Sequence, residues 1–217
     1  MTARTALLAG ATGLVGRELL AGLLADPGLA AVHTLGRREL PLVHAKLSQH
    51  WVDFAALPTL PAVDEVYLAL GTTIRAAGSQ AAFRAIDYDA NLAVARAARA
   101  AGAKRLGVVS AMGANARSGI FYNRIKGELE EILDTLAYEG LVIARPSFLT
   151  GDRAALGQST RRGETLARRL STVLRPLIPP NYRAIRAVDV AAALLRAVPH
   201  ARGRQVLPSG RMQGAGG

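Results

Sequence analysis

The chain contains no cysteine among its 217 residues. Disulfides, thiolate nucleophiles and cysteine-ligated zinc or iron–sulfur sites are thereby excluded. Histidine is scarce too. His33, His44, His50 and His200 show neither HExxH nor another compact ligand spacing, so no metal site is expected. Acidic side chains are outnumbered, 16 against 27 basic ones, which leaves a formal charge of +11. No apolar run reaches the ~20 residues of a membrane-spanning helix, because Arg, Asp or Pro interrupts each one. The first residues, MTARTALLAGATG, hold no long apolar stretch, and a glycine motif already starts at residue 10. The chain is therefore expected to be cytoplasmic and to make no membrane contact.

Half of the residues are hydrophobic, enough for one sizeable core and too many for a disordered chain. A single unit over residues 1–217 is expected. The positive charge raises the question of nucleic acid. But 24 of the 27 basic residues are Arg in an alanine-rich chain, which reads as a bias of residue usage, and no block of five like charges occurs. The local clusters are Arg161-Arg162 and Arg168-Arg169, in an Arg-rich stretch over 161–175. Nucleic acid is not taken as a partner. Binding through that stretch would show itself as steeply salt-dependent affinity.

Short β-like runs alternate with Ala/Leu-rich helical ones. The strands are expected over Thr5–Ala9, Ala31–Leu35, Leu47–Val52, Glu65–Leu70, Arg105–Val109 and Leu141–Ala144. Helices are expected over Leu14–Ala25, Ser79–Ala101 and Tyr122–Glu139, with Gly102 and Gly140 ending the last two. The apolar face of the second would carry Phe83, Ile86, Ala90, Ala93, Val94, Ala97 and Ala101. That of the third would carry Ile125, Leu129, Ile132, Leu133 and Leu136. Such alternation means βαβ units and a parallel sheet covered on both faces. Beyond residue 150 the pattern changes. Residues 151–183 read as a small cap around a helix near Glu164–Leu174, and Asp189 opens a last helix through Val198.

Three groups of residues carry chemistry. Gly10, Thr12, Gly13, Leu14, Val15 and Gly16 form a GxxGxxG turn between a strand and a helix. Glycine there lets the backbone approach a pyrophosphate, and the helix start supplies N–H donors and a positive dipole end. Arg37 and Arg38 end the second strand, where NAD-binding sheets commonly place an acid for the ribose 2′-hydroxyl. Two guanidiniums suit a 2′-phosphate instead. Finally, Ser110 closes the fifth strand, and Tyr122 and Lys126 stand four apart on one helix face. An ammonium beside a phenol favours the phenolate, so Tyr122 can exchange a proton with a carbonyl or alcohol. Ser110 would hydrogen-bond the same oxygen.

These residues, with LGRR at 35–38, VDF at 52–54, LGTT at 70–73, VVSAMGA at 108–114, YNRIKGELE at 122–130 and ARPSFLTGDR at 144–153, resemble the short-chain dehydrogenase/reductase superfamily. The likeness is to its atypical branch, the Tat-interacting-protein-like and nucleoside-diphosphate-sugar-epimerase-like proteins. The resemblance implies a Rossmann-type doubly wound parallel α/β sheet with a minimal C-terminal cap. It implies that Thr12 to Val15 contact the pyrophosphate, that Asp53 and Phe54 lie beside the adenine, and that Leu70, Gly71 and Thr72 line the adenosine side. Pro146 and Ser147 would sit near the nicotinamide carboxamide, and Lys126 would hold the nicotinamide ribose. Three positions depart from the pattern. Ala111 replaces the second serine of a pair, Ser147 replaces a glycine, and Asp87 stands where many relatives carry an active-site Asn.

The resulting expectation is an oxidoreductase that uses NADP(H), with NAD as the alternative dinucleotide, on a small carbonyl or alcohol. The rival reading is a non-catalytic NADP(H) sensor acting through a protein partner. A homodimer is the other association considered.

Overall fold

A computed structural model describes residues 3–150 and 179–216. The helix expected near Glu164–Leu174, the Arg-rich 161–175 stretch and the cap up to residue 178 lie outside the described residues.

The strands are β1 (Arg4–Ala9), β2 (Leu29–Gly36), β3 (Leu47–Trp51), β4 (Glu65–Leu68), β5 (Arg105–Val109), β6 (Gly140–Arg145), β7 (Leu149–Thr150), β8 (Ile185–Arg186) and β9 (Gly203–Pro208). Seven of them form one sheet in the order β3-β2-β1-β4-β5-β6-β9, and every pairing is parallel. The chain winds outward from β1 in one direction and then, starting at β4, in the other. This is the expected doubly wound α/β sheet. Central strands are buried on both faces, which is why they read as unbroken apolar runs, as in Ala6–Ala9. β9 escaped sequence reading because its residues, GRQVLP, are exposed or half-buried at the sheet edge and carry no apolar run.

Two apolar layers sandwich the sheet. On one side α1 (Leu14–Ala25) packs with the last long helix, α6 (Ala187–Ala197). A β-carbon on Gly22 would lie 2.3 Å from Leu195 Cδ1, so the glycine permits this close helix contact. On the other side lie α4 (Asn91–Ala100) and α5 (Phe121–Asp134). Asp189, in the first turn of α6, takes two hydrogen bonds from Arg186 at 2.7 and 2.8 Å and one from the Gly216 N–H at 3.0 Å.

Two helices differ from expectation. The run at 79–101 is not one regular helix. After a one-turn helix, α2 (Ile74–Ala77), a short helix α3 (Gln80–Arg84) passes through a π-helical turn (Ala85–Ala90) into α4. The wider turn accommodates one extra residue and shifts the buried face. Asp87, Asn91, Ala95 and Ala98 are buried, whereas the expected Ile86, Ala93 and Ala97 are only half-buried. The other, α5, ends at Asp134, and Ala137 makes the turn with φ 54°. Gly140 is no helix stop. It opens β6, where a β-carbon would lie 2.4 Å from the Ala201 carbonyl oxygen.

The glycine turn is set by backbone crowding. Gly10 has φ +93°, and a β-carbon on it would lie 2.4 Å from the Ala69 oxygen. On Gly16 it would lie 1.9 Å from the Gly10 oxygen. On Gly13 the nearest atom would be 3.4 Å away, an ordinary contact. Gly16→Ala should therefore destabilise the fold by about 1–3 kcal/mol or more, as overpacking does, while Gly13→Ala leaves stability nearly unchanged. Thermal melting of both variants checks this, and an equal loss at Gly13 would refute it.

On the edge pair β2–β3, His33 Nδ1 lies 2.9 Å from His50 Nε2. Burial, and secondarily the neighbouring His50, lowers the His33 pKa below its ordinary 6.5. The unfolded chain thus takes up this proton at higher pH than the folded one. Stability should hold above pH 6.5 and decline as the pH falls below it. Melting temperatures of wild type and His33→Gln between pH 8 and pH 5 should show a shallower acid decline in the variant.

Candidate functional site

The carboxyl ends of β1 and β4 mark the point where strand order reverses, and a cleft opens there. The helix α1 begins at Gly13 without a side-chain cap and without an acidic residue in its first turn. Its leading N–H groups lack intrahelical partners and point toward the turn of Gly10 to Gly13. Thr12 is exposed beside them. Val15 is buried in the apolar layer, so within the turn it can present only backbone.

The cleft is open to solvent, and with that open space it spans about 530 Å³. One wall is Gly10 to Thr12, the other is the end of β2 through Arg37 and Arg38. Leu70 and Phe54 contribute from the loops after β4 and β3. Both arginines are exposed, and neither forms an ion pair among the described residues. Asp53 does not line the cleft. Its Oδ1 accepts the Ala55 N–H at 2.9 Å and shapes the turn that presents Phe54. Sequence reading missed Gln49, His50 and Trp51, which β3 delivers to the same cleft. The Gln49 amide grips the Leu40 backbone at 2.8 and 3.1 Å, fixing the segment after Arg38. Strand alternation carries no signal that an edge strand lines a cleft, so nothing in the sequence pointed to these residues.

Beyond this cleft, Gly71 and Thr72 turn toward a buried polar cluster. The Lys126 ammonium lies 2.7 Å from Asp87 Oδ1, with side chains only 4% and 1% exposed. The Thr72 N–H donates to Asp87 Oδ2 at 2.8 Å. Asn91, also buried, donates to the carbonyls of Leu70, Ile86 and Asp87 at 3.1–3.2 Å. It thereby satisfies carbonyls in the π-turn and ties that turn to the loop after β4. Tyr122 is half-buried one turn before Lys126, its ring centroid 5.5 Å from that of Phe83.

Ser110 is buried, and its hydroxyl donates to Glu130 Oε1 at 2.5 Å. Arg145 grips Glu130 through Nε and Nη2, and Arg204 approaches it at 3.6 Å. A carboxylate this deeply buried is tolerable only with such partners. A serine carries one hydroxyl proton, so donation from Ser110 to a substrate oxygen would require it to leave Glu130. α5 therefore presents Tyr122, Lys126 and Glu130 at four-residue steps along one face. The first two were anticipated. Glu130 was missed because its partners lie on other strands.

The Pro146 carbonyl accepts the Met112 N–H at 2.8 Å, which joins the loops after β5 and β6. The Ser147 hydroxyl donates to the Arg183 carbonyl and accepts from Ser209 at 3.0 Å. Ser147 thus binds the C-terminal segment to the end of β6.

Among the described residues no helix is long and apolar enough to cross a membrane, and no cluster of His, Asp and Glu could hold a metal ion.

In structure the chain is similar to MoeE5 in complex with UDP-glucose and NAD, with TM-score 0.70 and 18% identity over 94% of this chain and 75% of that one. It is also similar to a short chain dehydrogenase/reductase family oxidoreductase from Burkholderia thailandensis, with TM-score 0.67 and 22% identity over 98% and 94%. These likenesses establish the Rossmann-like fold. In sequence it is 35% identical over 173 residues to protein fmp52, mitochondrial, of Emericella nidulans, covering 74% of this chain and 72% of that protein. It is 38% identical over 159 residues to FMP52, mitochondrial, of Candida glabrata, covering 70% and 67%. The cytoplasmic expectation is overturned, because these relatives are named as mitochondrial proteins. The absence of a long apolar stretch around residues 1–13 carries no signal about organelles. The HIM1 family model matches residues 36–178. With that match and these relatives, the chain belongs to the HIM1 family, among the FMP52-like proteins.

Proposed function

We propose that the protein binds NADP(H) across the switch-point cleft and moves hydride between the nicotinamide and a small carbonyl or alcohol. One observation carries the reading. An uncapped helix start follows directly on the Gly10 to Thr12 wall of the cleft, and across the cleft stand two guanidiniums that form no ion pair among the described residues. Gly10 and Gly16 are explained by packing inside the protein, whereas Gly13 is not, and a pyrophosphate against its backbone supplies the missing reason. Several similar structures hold NAD, which supports a nicotinamide cofactor in this cleft. The finer likeness to Tat-interacting-protein-like and epimerase-like proteins belongs to the same reading.

When bound, the cofactor would supply or accept the hydride. The remaining work falls to this chain. Gly10 to Gly16 would hold the pyrophosphate, and Arg37 and Arg38 the 2′-phosphate. Leu70 and Phe54 would enclose the adenosine, with Asp53 shaping the turn beside it. Gly71 and Thr72 would carry the wall on from the adenosine to the nicotinamide ribose, and Pro146 and Ser147 would border the carboxamide. Lys126 has three N–H donors, and pairing its charge with Asp87 leaves donors for ribose hydroxyls. Tyr122 would deliver or remove the substrate proton. Ser110 would orient the substrate oxygen.

A second reading has its own support. The Ser110 proton is committed to Glu130, and Ala111 offers no hydroxyl. A protein that binds NADP(H) and reports its presence to a protein partner would need neither.

Two measurements test these readings. Calorimetric titration should show NADPH binding more tightly than NADH, with Arg37→Ala/Arg38→Ala shrinking the preference about tenfold or more. Equal wild-type affinities would defeat the 2′-phosphate assignment. In a carbonyl screen, Tyr122→Phe should lose about 10²–10⁴ in turnover while cofactor affinity changes little. A wild type that binds NADPH tightly and reduces none of the carbonyls supports the sensor.

A further inference from the structure

The buried cluster around Asp87 does more than fill space between α4 and α5. A carboxylate with 1% exposure is retained only where its charge is answered. Asp87 has its answer from two separate elements. One oxygen meets the Lys126 ammonium of α5 at 2.7 Å, and the other accepts the Thr72 N–H of the loop after β4 at 2.8 Å. A β-carbon on Gly71 would lie 3.4 Å from Asp87 Oδ1 and 3.9 Å from Lys126 Nζ. The loop backbone therefore runs directly over the ion pair. The π-turn is what aims Asp87 at this spot, and Asn91 locks the turn through the Ile86 and Asp87 carbonyls and the loop through the Leu70 carbonyl.

We propose that Asp87 is the positioning residue for the nicotinamide half of the cleft. It sets the Lys126 ammonium and the Gly71-Thr72 backbone at a fixed separation, so that both walls meet the ribose together. The adenosine half is built from other parts, namely the glycine turn, the end of β2 and Leu70. Asp87 thus acts on one half of the dinucleotide and leaves the other alone. This inference rests on the cofactor reading above.

The test compares two ligands. NADPH spans both halves, whereas 2′,5′-ADP carries the adenosine and its 2′-phosphate but no nicotinamide ribose. Asp87→Asn keeps the shape and an acceptor for the Thr72 N–H but removes the charge that holds Lys126. By calorimetry, NADPH should bind about tenfold or more weakly to the variant, while 2′,5′-ADP affinity stays within about twofold of wild type. Circular dichroism confirms that the variant is folded. Equal losses for both ligands would mean that Asp87 only supports the fold, and no loss for either would mean that it positions nothing. Both outcomes overturn the proposal while sparing the cofactor reading. A wild type that binds neither ligand overturns both. Should Asp87→Asn fail to fold, amide exchange on the wild type takes its place. The Thr72 amide should be slowed by NADPH and not by 2′,5′-ADP, and equal slowing overturns the proposal.

Discussion

Backbone against backbone at Gly10 is the contact on which the rest of the molecule depends. The chain leaving β1 turns there with positive φ and passes so close to Ala69 and to Gly16 that no β-carbon fits at either glycine. This contact holds the Gly10 to Thr12 wall of the cleft against the end of β4. It also seats α1 against the turn, so the helix starts where its first N–H groups face outward. Apolar packing then follows. α1 lies on the sheet beside α6, and their shared layer is continuous from Leu8 to Leu194. Sterics of this kind tolerate no compromise, whereas the burial that stabilises the layers is spread over many side chains.

Beneath the cleft the structure carries charge where an apolar core would be simpler. Asp87, Lys126, Glu130, Asn91 and Ser110 are all buried near the carboxyl ends of β4 and β5. Each has found a partner on a different element, Lys126 on the π-turn and Glu130 just past β5 and on β6 and β9. Buried pairs contribute little net stability compared with apolar replacements, but breaking one leaves an uncompensated charge. Their effect is to fix how α5 is rotated about its axis. Gly127 reinforces that register, since a β-carbon on it would lie 2.1 Å from the Ala116 nitrogen. With the helix so held, Tyr122 comes to lie against Phe83 of α3 and not against another face.

The separation of roles along α5 bears on what the protein can do. An active site needs its groups held and yet available. Lys126 remains available, because an ammonium can serve Asp87 and a ribose at once. Ser110 is not available in the same way, because its only proton is engaged. The same buried network therefore leaves donors on Lys126 and holds the one hydroxyl proton of Ser110. Whether the protein acts as enzyme or sensor turns on this difference.

Much of this was legible in the amino-acid order, and the reason is local. Strand and helix periods, the glycine turn, the paired arginines and the four-residue step from Tyr122 to Lys126 each depend on neighbours within one or two turns. The strands β1 and β5 and the helix α1 lie where their patterns place them. Adjacency in the chain was also enough to link Arg37 and Arg38 to the end of β2. The π-turn was not legible, because one extra residue in a turn leaves the composition of a helix unchanged. It nonetheless moved the buried face from Ile86 to Asp87. Nor were the partners of Ser110, Glu130 and Asp87 legible, since they lie fifteen residues or more away in the chain. A hydroxyl, a carboxylate or an ammonium can pair with many groups of the right sign. The one it meets is set by how helices and strands pack, and that is a property of the assembled sheet.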